Sequence, residues 1–317
     1  MSARHFRSRR VAAGIALLAL TATVAACGND DSADATPTAP PASDSTPATA
    51  TVGTDPPATE STTPPATTSP VTTAAPATTP TTEPERPTVV LVHGAFAGPS
   101  SWDAVAALLR EDGLEVVAPD NPLRGPTVDA AAVREALDGV DGEVILVAHS
   151  YGGIPITNAA VGDSDIGALV YVAAYVPDDG ETFSQIQEQV PGQLTPDKLV
   201  VAPYTSAAGT QGAEATIAVD AFAGLFAADL PAEQAAAVAA AQQPLDLAAL
   251  GEPSGPPAWR DTPSWYVVAT ADQIIPAELA HRMAERAGAT VEEIDASHAV
   301  LLSQPAAVAD LILRVAS

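Results

Sequence analysis

The chain runs to 317 residues with one cysteine, 30 prolines and 39 acidic against 13 basic side chains, a formal charge of −26. One thiol cannot close a disulfide within the chain, which excludes a disulfide-stapled scaffold. A polyanionic surface repels the phosphate backbone that gives nucleic-acid binders most of their affinity, and it does not suit docking on a membrane through a basic face.

Taken in chain order, residues 1–27 hold Arg4, Arg7, Arg9 and Arg10 and no acid, then an apolar run from Val11 to Ala26 that stops at the only cysteine, Cys27. Positive charge, apolar run and small residues in that order form the pattern of an export signal. At 16 residues, interrupted by Gly14, Thr21 and Thr23, the run is shorter than the roughly 20 apolar residues of a spanning helix. Val24-Ala25-Ala26-Cys27 resembles a bacterial lipobox. That resemblance implies acylation of the Cys27 thiol, cleavage before it and a mature chain held by lipid on the outer face of the cell membrane; a secreted protein is the alternative. Multiple acyl chains anchor stably where a single one binds marginally. Ser8-Arg9-Arg10 points to twin-arginine export, but Ala12 and Ala13 stand where that motif carries an apolar pair, so the route stays open.

Residues 28–86 contain 17 threonines and 12 prolines among 59 residues, with Val52 and Val71 the only larger aliphatics. Such a stretch cannot bury enough apolar surface to offset the entropy of folding. It reads as a disordered tether in which dense proline favours extended polyproline II at about 3.1 Å per residue, a reach of more than roughly 100 Å. Its threonines are candidate sites for O-linked sugars.

Residues 87–317 carry 8 basic and 31 acidic side chains and are long enough for one core. Thr88 to His93 (TVVLVH) reads as a strand buried on both faces. A helix capped by Ser100 or Ser101 follows, with Trp102, Val105, Leu108 and Leu109 at helical spacing and Gly113 as its stop. Further strands are expected over 114–118, 143–148 and 168–173, and helices over 128–137 and 152–161. From about 177 to 262 the chain is alanine-rich and reads as helical, clearest at 221–228 and 231–243, with no convincing buried strand. Alternation resumes with a strand over 265–269, a helix over 276–287, a strand over 290–294 and a helix over 305–315. The expected architecture is α/β, a mostly parallel sheet covered by helices on both faces, with the insertion as a helical lid over the strands' carboxyl ends, where open α/β sheets bind ligands.

The sharpest local signal is Ala148-His149-Ser150-Tyr151-Gly152-Gly153, directly after a buried strand and before a helix. A serine there stands on a tight strand-to-helix turn with its hydroxyl presented above the sheet. The usual pattern is Gly-x-Ser-x-Gly, and alanine in first place adds one methyl group at a crowded point. A serine hydroxyl needs a histidine to take its proton and a carboxylate to fix that histidine's tautomer. Asp272 and His298 follow two later strands, which makes the chain order Ser, Asp, His. Asp295 is a rival for the carboxylate by proximity in sequence, although it ends its own strand.

His93-Gly94-Ala95-Phe96, the serine turn and Ser297-His298-Ala299-Val300 together resemble the α/β-hydrolase superfamily, most closely its small esterase and hydroxynitrile-lyase-like branch. The resemblance spans nearly all of 87–317 and is weakest in the insertion. It implies Ser150 as nucleophile, His298 as base, Asp272 as its partner, and the backbone amides of Ala95 and Tyr151 as oxyanion donors. It further implies hydrolysis of a carboxylic ester through an acyl-enzyme, with no cofactor, and the strong negative charge favours a small neutral ester as substrate. Lyases of this branch use a lysine directly after the histidine, whereas Ala299 stands here and Lys198 is the only lysine. Perhydrolysis as a side activity, and a non-enzymatic surface binding protein built on the same fold, are the alternatives.

His93 and His149 are expected to tie down backbone near the site, and His281 to face solvent. Scattered histidines without ligand spacing imply no metal. Phe183, Phe222, Leu225, Phe226 and Trp259 of the insertion are expected either to line a substrate pocket or to form lid core. Oligomeric state is not legible.

Overall fold

The computed structural model describes residues 86–317; Cys27, the leader and the tether through residue 85 lie outside the described residues. The first strand, β1 (Thr88–Val92), is buried along its whole length, and its period-2 alternation divides it between two cores. Val90 and Val92 face one core, and Val89 and Leu91 face the other. β3 (Val144–His149), β4 (Ile166–Val172) and β8 (Ser264–Ala269) divide in the same way. With β2 (Val116–Val117) and β9 (Thr290–Ile294) they form a sheet in the order β2-β1-β3-β4-β8-β9. Every neighbouring pair in it is parallel.

One face is covered by α1 (Asp103–Glu111), α8 (Val300–Ser303) and α9 (Pro305–Val315), through Val105, Leu109, Val300, Val308 and Ile312. The other is covered by α2 (Pro126–Leu137), α3 (Gly153–Ala159) and α7 (Ala277–Arg286), through Val133, Ile154, Ile156, Leu279 and Met283. Because β1 pairs with β2 on one side and β3 on the other, the chain reverses its direction of travel across the sheet between them. The crevice at the carboxyl ends of β1 and β3 is therefore the topological switch point where such sheets hold ligands.

Two local expectations are corrected. Neither Ser100 nor Ser101 caps α1: Pro99–Trp102 forms a 3-10 turn, and the Ser101 hydroxyl donates to the Gly98 carbonyl instead. The strand expected over 114–118 is only Val116–Val117, an edge element. Gly113 does stop α1. It lies at φ +86°, its amide donates to Arg110, and the Leu114 amide donates back to Leu109, which is a Schellman closure.

The insertion between β4 and β8 is not purely helical. Beside α4 (Phe183–Gln189), α5 (Val219–Phe226) and α6 (Ala232–Ala240) it holds an antiparallel sheet of β5 (Leu199–Thr205), β6 (Gln211–Ile217) and β7 (Leu245–Asp246). These strands lack the usual signal for physical reasons. β5 is an edge strand exposed along most of its length, so it needs no apolar alternation. β6 (QGAEATI) is small and polar, and Gly212 leaves room for the Tyr204 ring, which a Cβ would approach to 2.5 Å. What makes them strands is register, from Leu199 opposite Ile217 to Thr205 opposite Gln211.

Candidate active site

Ser150 follows β3 with φ +54°, a left-handed conformation that costs a non-glycine residue energy and persists only where its surroundings enforce it. Three glycines supply the room. A Cβ on Gly94 would come within 2.6 Å of the Ser150 Cβ, one on Gly152 within 2.7 Å of the His93 carbonyl, and one on Gly153 within 2.1 Å of the Tyr175 carbonyl. The Tyr175 amide donates to the Ser150 carbonyl at 3.0 Å and holds the turn from the β4 side. Ala148, where the usual pattern has glycine, is fully buried in the sheet opposite Val92 and Tyr171, which accommodates its methyl group.

Later strands bring the histidine and carboxylate to this turn. His298 Nε2 lies 2.8 Å from Ser150 Oγ, and Nδ1 lies 2.6 Å from Asp272 Oδ2. A neutral imidazole that donates its Nδ1–H to Asp272 leaves Nε2 to accept the serine proton. The other Asp272 oxygen accepts from the amides of Ile274 at 2.7 Å and Ile275 at 2.9 Å, so both sides of the carboxylate are occupied. Asp295 is turned toward Thr270, and the hydrogen bond and ion pair of His298 Nδ1 go to Asp272 instead. All three groups of the chain are buried: Ser150 is 5% exposed, Asp272 6% and His298 0%.

His149 donates Nε2–H to the His298 carbonyl at 2.8 Å, with the two rings 4.7 Å apart. Burial, and then the nearby His298, push His149 well below the ordinary histidine range, so it remains neutral. His93 is also lowered by burial; its Nδ1 bonds the Gly94 carbonyl at 3.0 Å and its Nε2 accepts the Asn121 amide at 3.0 Å. Both thus hold backbone beside the site. His281 is half-exposed and pairs with Glu293 at 3.0 Å.

The loop after β1 packs directly on the serine turn, since a Cβ on Gly94 would also lie 3.2 Å from the Tyr151 amide nitrogen. Phe96 sits at φ +63°, a second left-handed residue within four positions of β1. Among the described residues, the loop's own hydrogen bonding takes up neither the Ala95 nor the Tyr151 amide. Tyr151 stands in the first turn of the helix that follows Ser150, where backbone N–H groups have no intrahelical acceptor. Its side chain runs the other way, and the hydroxyl donates to the buried Asp129 at 2.7 Å.

Of the apolar lid residues, Phe226 packs edge-on against the His298 ring at 4.9 Å and stacks on Phe222 at 4.9 Å. Phe183 lies 4.5 Å from Tyr175 and 6.4 Å from Tyr151. Leu225 is buried in the same core, while Trp259 donates to the Pro177 carbonyl and belongs to the insertion's base. Sequence reasoning missed Asn121, Asp129, Asp229 and Ser297. Each acts through contacts with residues remote in the chain, which no local motif signals. Among the described residues no group of three or more His, Cys, Asp or Glu side chains is arranged to hold a metal ion.

Comparison with known proteins adds three findings. The sequence profile of the Alpha/beta hydrolase family matches residues 89–311. A carbendazim hydrolyzing esterase of Nocardioides sp. (strain SG-4G) is 36% identical over 34% of this chain and 49% of its own length, and Methylesterase 9 of Arabidopsis thaliana is 32% identical over 34% and 48%. The chain thus spans about half the length of these curated relatives. A pyrethroid hydrolase of Sphingobium wenxiniae is 29% identical over 71% of this chain and 85% of its own. The crystal structure of polyneuridine aldehyde esterase has a TM-score of 0.64 at 22% identity, over 74% of this chain and 100% of that one, a likeness of fold.

Proposed function

We propose that this chain, which belongs to the alpha/beta hydrolase family, is a serine carboxylesterase acting on small neutral esters. The observation that carries the reading is the unbroken path from Ser150 Oγ through His298 to Asp272, at 2.8 and 2.6 Å. Ser150 attacks the ester carbonyl while His298 Nε2 takes its proton, and Asp272 stabilises the imidazolium that forms. The amides of Ala95 and Tyr151 receive the oxyanion. His298 then protonates the leaving alcohol, and water repeats the sequence on the acyl-Ser150 to release the acid. Two relatives named as esterases and one named as a hydrolase support this chemistry. A strongly acidic domain favours neutral substrates, because an anionic one is repelled on approach.

The leader extends the proposal to location. Cys27 carries the lipid, and the tether displays the hydrolase on the outer face of the cell membrane.

Purified residues 86–317 should hydrolyse p-nitrophenyl esters of some acyl length, and Ser150→Ala should lose that turnover by a factor of about 10⁴ or more. Absence of Ser150-dependent turnover across the series, together with no labelling of Ser150 by a fluorophosphonate, would sink the assignment.

A further inference from the structure

His298 sits on the loop between β9 and α8, and the residues on both sides of it are gripped by the insertion. The Ala299 amide donates to the Phe226 carbonyl at 2.9 Å. The Ser297 amide donates to Asp229 Oδ2 at 3.0 Å, and the Ser297 hydroxyl donates to Asp229 Oδ1 and lies 3.2 Å from the Phe226 carbonyl. The Phe226 ring closes on the imidazole itself. Partial burial raises the Asp229 pKa, but the two bonds from Ser297, together with smaller contributions from Ser303 and its own backbone, outweigh it and leave the carboxyl below its ordinary value, so it is ionised at neutral pH. Bonds to an ionised acceptor are the stronger kind, and two to one residue fix orientation as well as position.

We propose that Asp229 is a positioning residue for His298: through Ser297 it clamps the loop that aims Nε2 at Ser150. This rests on the serine-esterase reading. Asp229 touches no reacting atom. Its effect is geometric, and misplacement of a base by about 1 Å can cost on the order of 10² in rate. In consequence the insertion is more than a cover. The segment from Phe226 to Asp229 belongs to the machinery, and a lid that lifts at that end also loosens the base.

The test compares Asp229→Ala, Asp229→Asn and Ser297→Ala in the purified full-length protein. Asp229→Ala should lower kcat about ten- to hundredfold with KM within about twofold, and Ser297→Ala should do so more mildly because its amide still reaches Asp229. Asp229→Asn should restore most of kcat. Its Oδ1 can accept the Ser297 amide while its Nδ2 donates to the Ser297 hydroxyl, which is free to turn toward Phe226. An Asn variant as impaired as the Ala variant would show that charge, not position, is what matters, and would overturn the proposal. So would kcat unchanged in Asp229→Ala, or a loss explained by the fraction unfolded in urea titration.

A second readout does not depend on turnover. The far-downfield proton NMR signal of His298 Nδ1–H should exchange faster with solvent in Asp229→Ala than in the parent, and unchanged exchange would count against the clamp. If the parent protein shows no Ser150-dependent turnover, the esterase reading fails by itself and this signal still decides whether Asp229 holds the loop.

Discussion

Ser150 shows how a single backbone conformation makes a site. Its φ of +54° is tolerated because Gly94, Gly152 and Gly153 let three neighbouring backbones close around it, and because Tyr175 holds its carbonyl. The same crowding buries two histidines with no part in proton transfer. Burial holds His93 below the ordinary histidine value of 6.5 and His149 well below it, so the folded state keeps both rings neutral where the unfolded chain would protonate them. Their contribution to stability is fully present above pH 6.5 and is lost as pH falls through their lowered folded-state values. The urea midpoint at constant ionic strength should therefore decline as pH is lowered from 6.5 toward about 5, above the range where ordinary carboxylates titrate. A midpoint that holds steady or rises across that interval would mean the rings are not buried neutral.

At the scale of elements, side chains as well as propensity complete the regular structure here. The glycine stop of α1 was readable because Gly113 supplies a left-handed residue that almost no other type adopts cheaply. The insertion's sheet was not readable, and Gln242 shows why. Its Oε1 accepts the Ile217 amide at 2.9 Å and its Nε2 donates to the Ile217 carbonyl at 2.9 Å and the Ala239 carbonyl at 3.1 Å, so one side-chain amide does the work of a neighbouring strand at the end of β6. Gln242→Ala should strand both Ile217 groups and cost about 1–3 kcal/mol for each left buried without water, seen as a lower urea midpoint. Gln242→Glu should be no better at neutral pH, since a carboxylate would face two carbonyl oxygens. A Gln242→Ala midpoint equal to the parent's would show that β6 does not depend on this contact.

For the whole molecule, the parallel order β2-β1-β3-β4-β8-β9 puts the ends of β1, β3, β8 and β9 at one rim, so that four loops distant in sequence deliver Ala95, Ser150, Asp272 and His298 to one place. Of the chain's charge, −23 falls on residues 87–317. So acidic a domain has no electrostatic attraction to an anionic bilayer, and the proposed location therefore rests on lipidation of Cys27 alone. Full-length protein made in bacteria should enter the detergent phase in Triton X-114 partition, and Cys27→Ser should move it to the aqueous phase. Equal partition of the two would refute the lipid anchor.

Sequence alone determined the α/β alternation, the serine turn and the Ser, Asp, His order. Each of these is written in short-range terms: buried β-branched runs, glycines where backbones must meet, and functional residues just past strand ends. Tertiary structure alone decided three things. It chose Asp272 over Asp295, because only Asp272 reaches Nδ1 across 26 residues of chain. It made strands of β5 and β6, whose stability lies in pairing rather than in burial pattern. It also joined Asp229 to the histidine loop 68 residues away, because a hydrogen bond between remote segments leaves no local pattern to read.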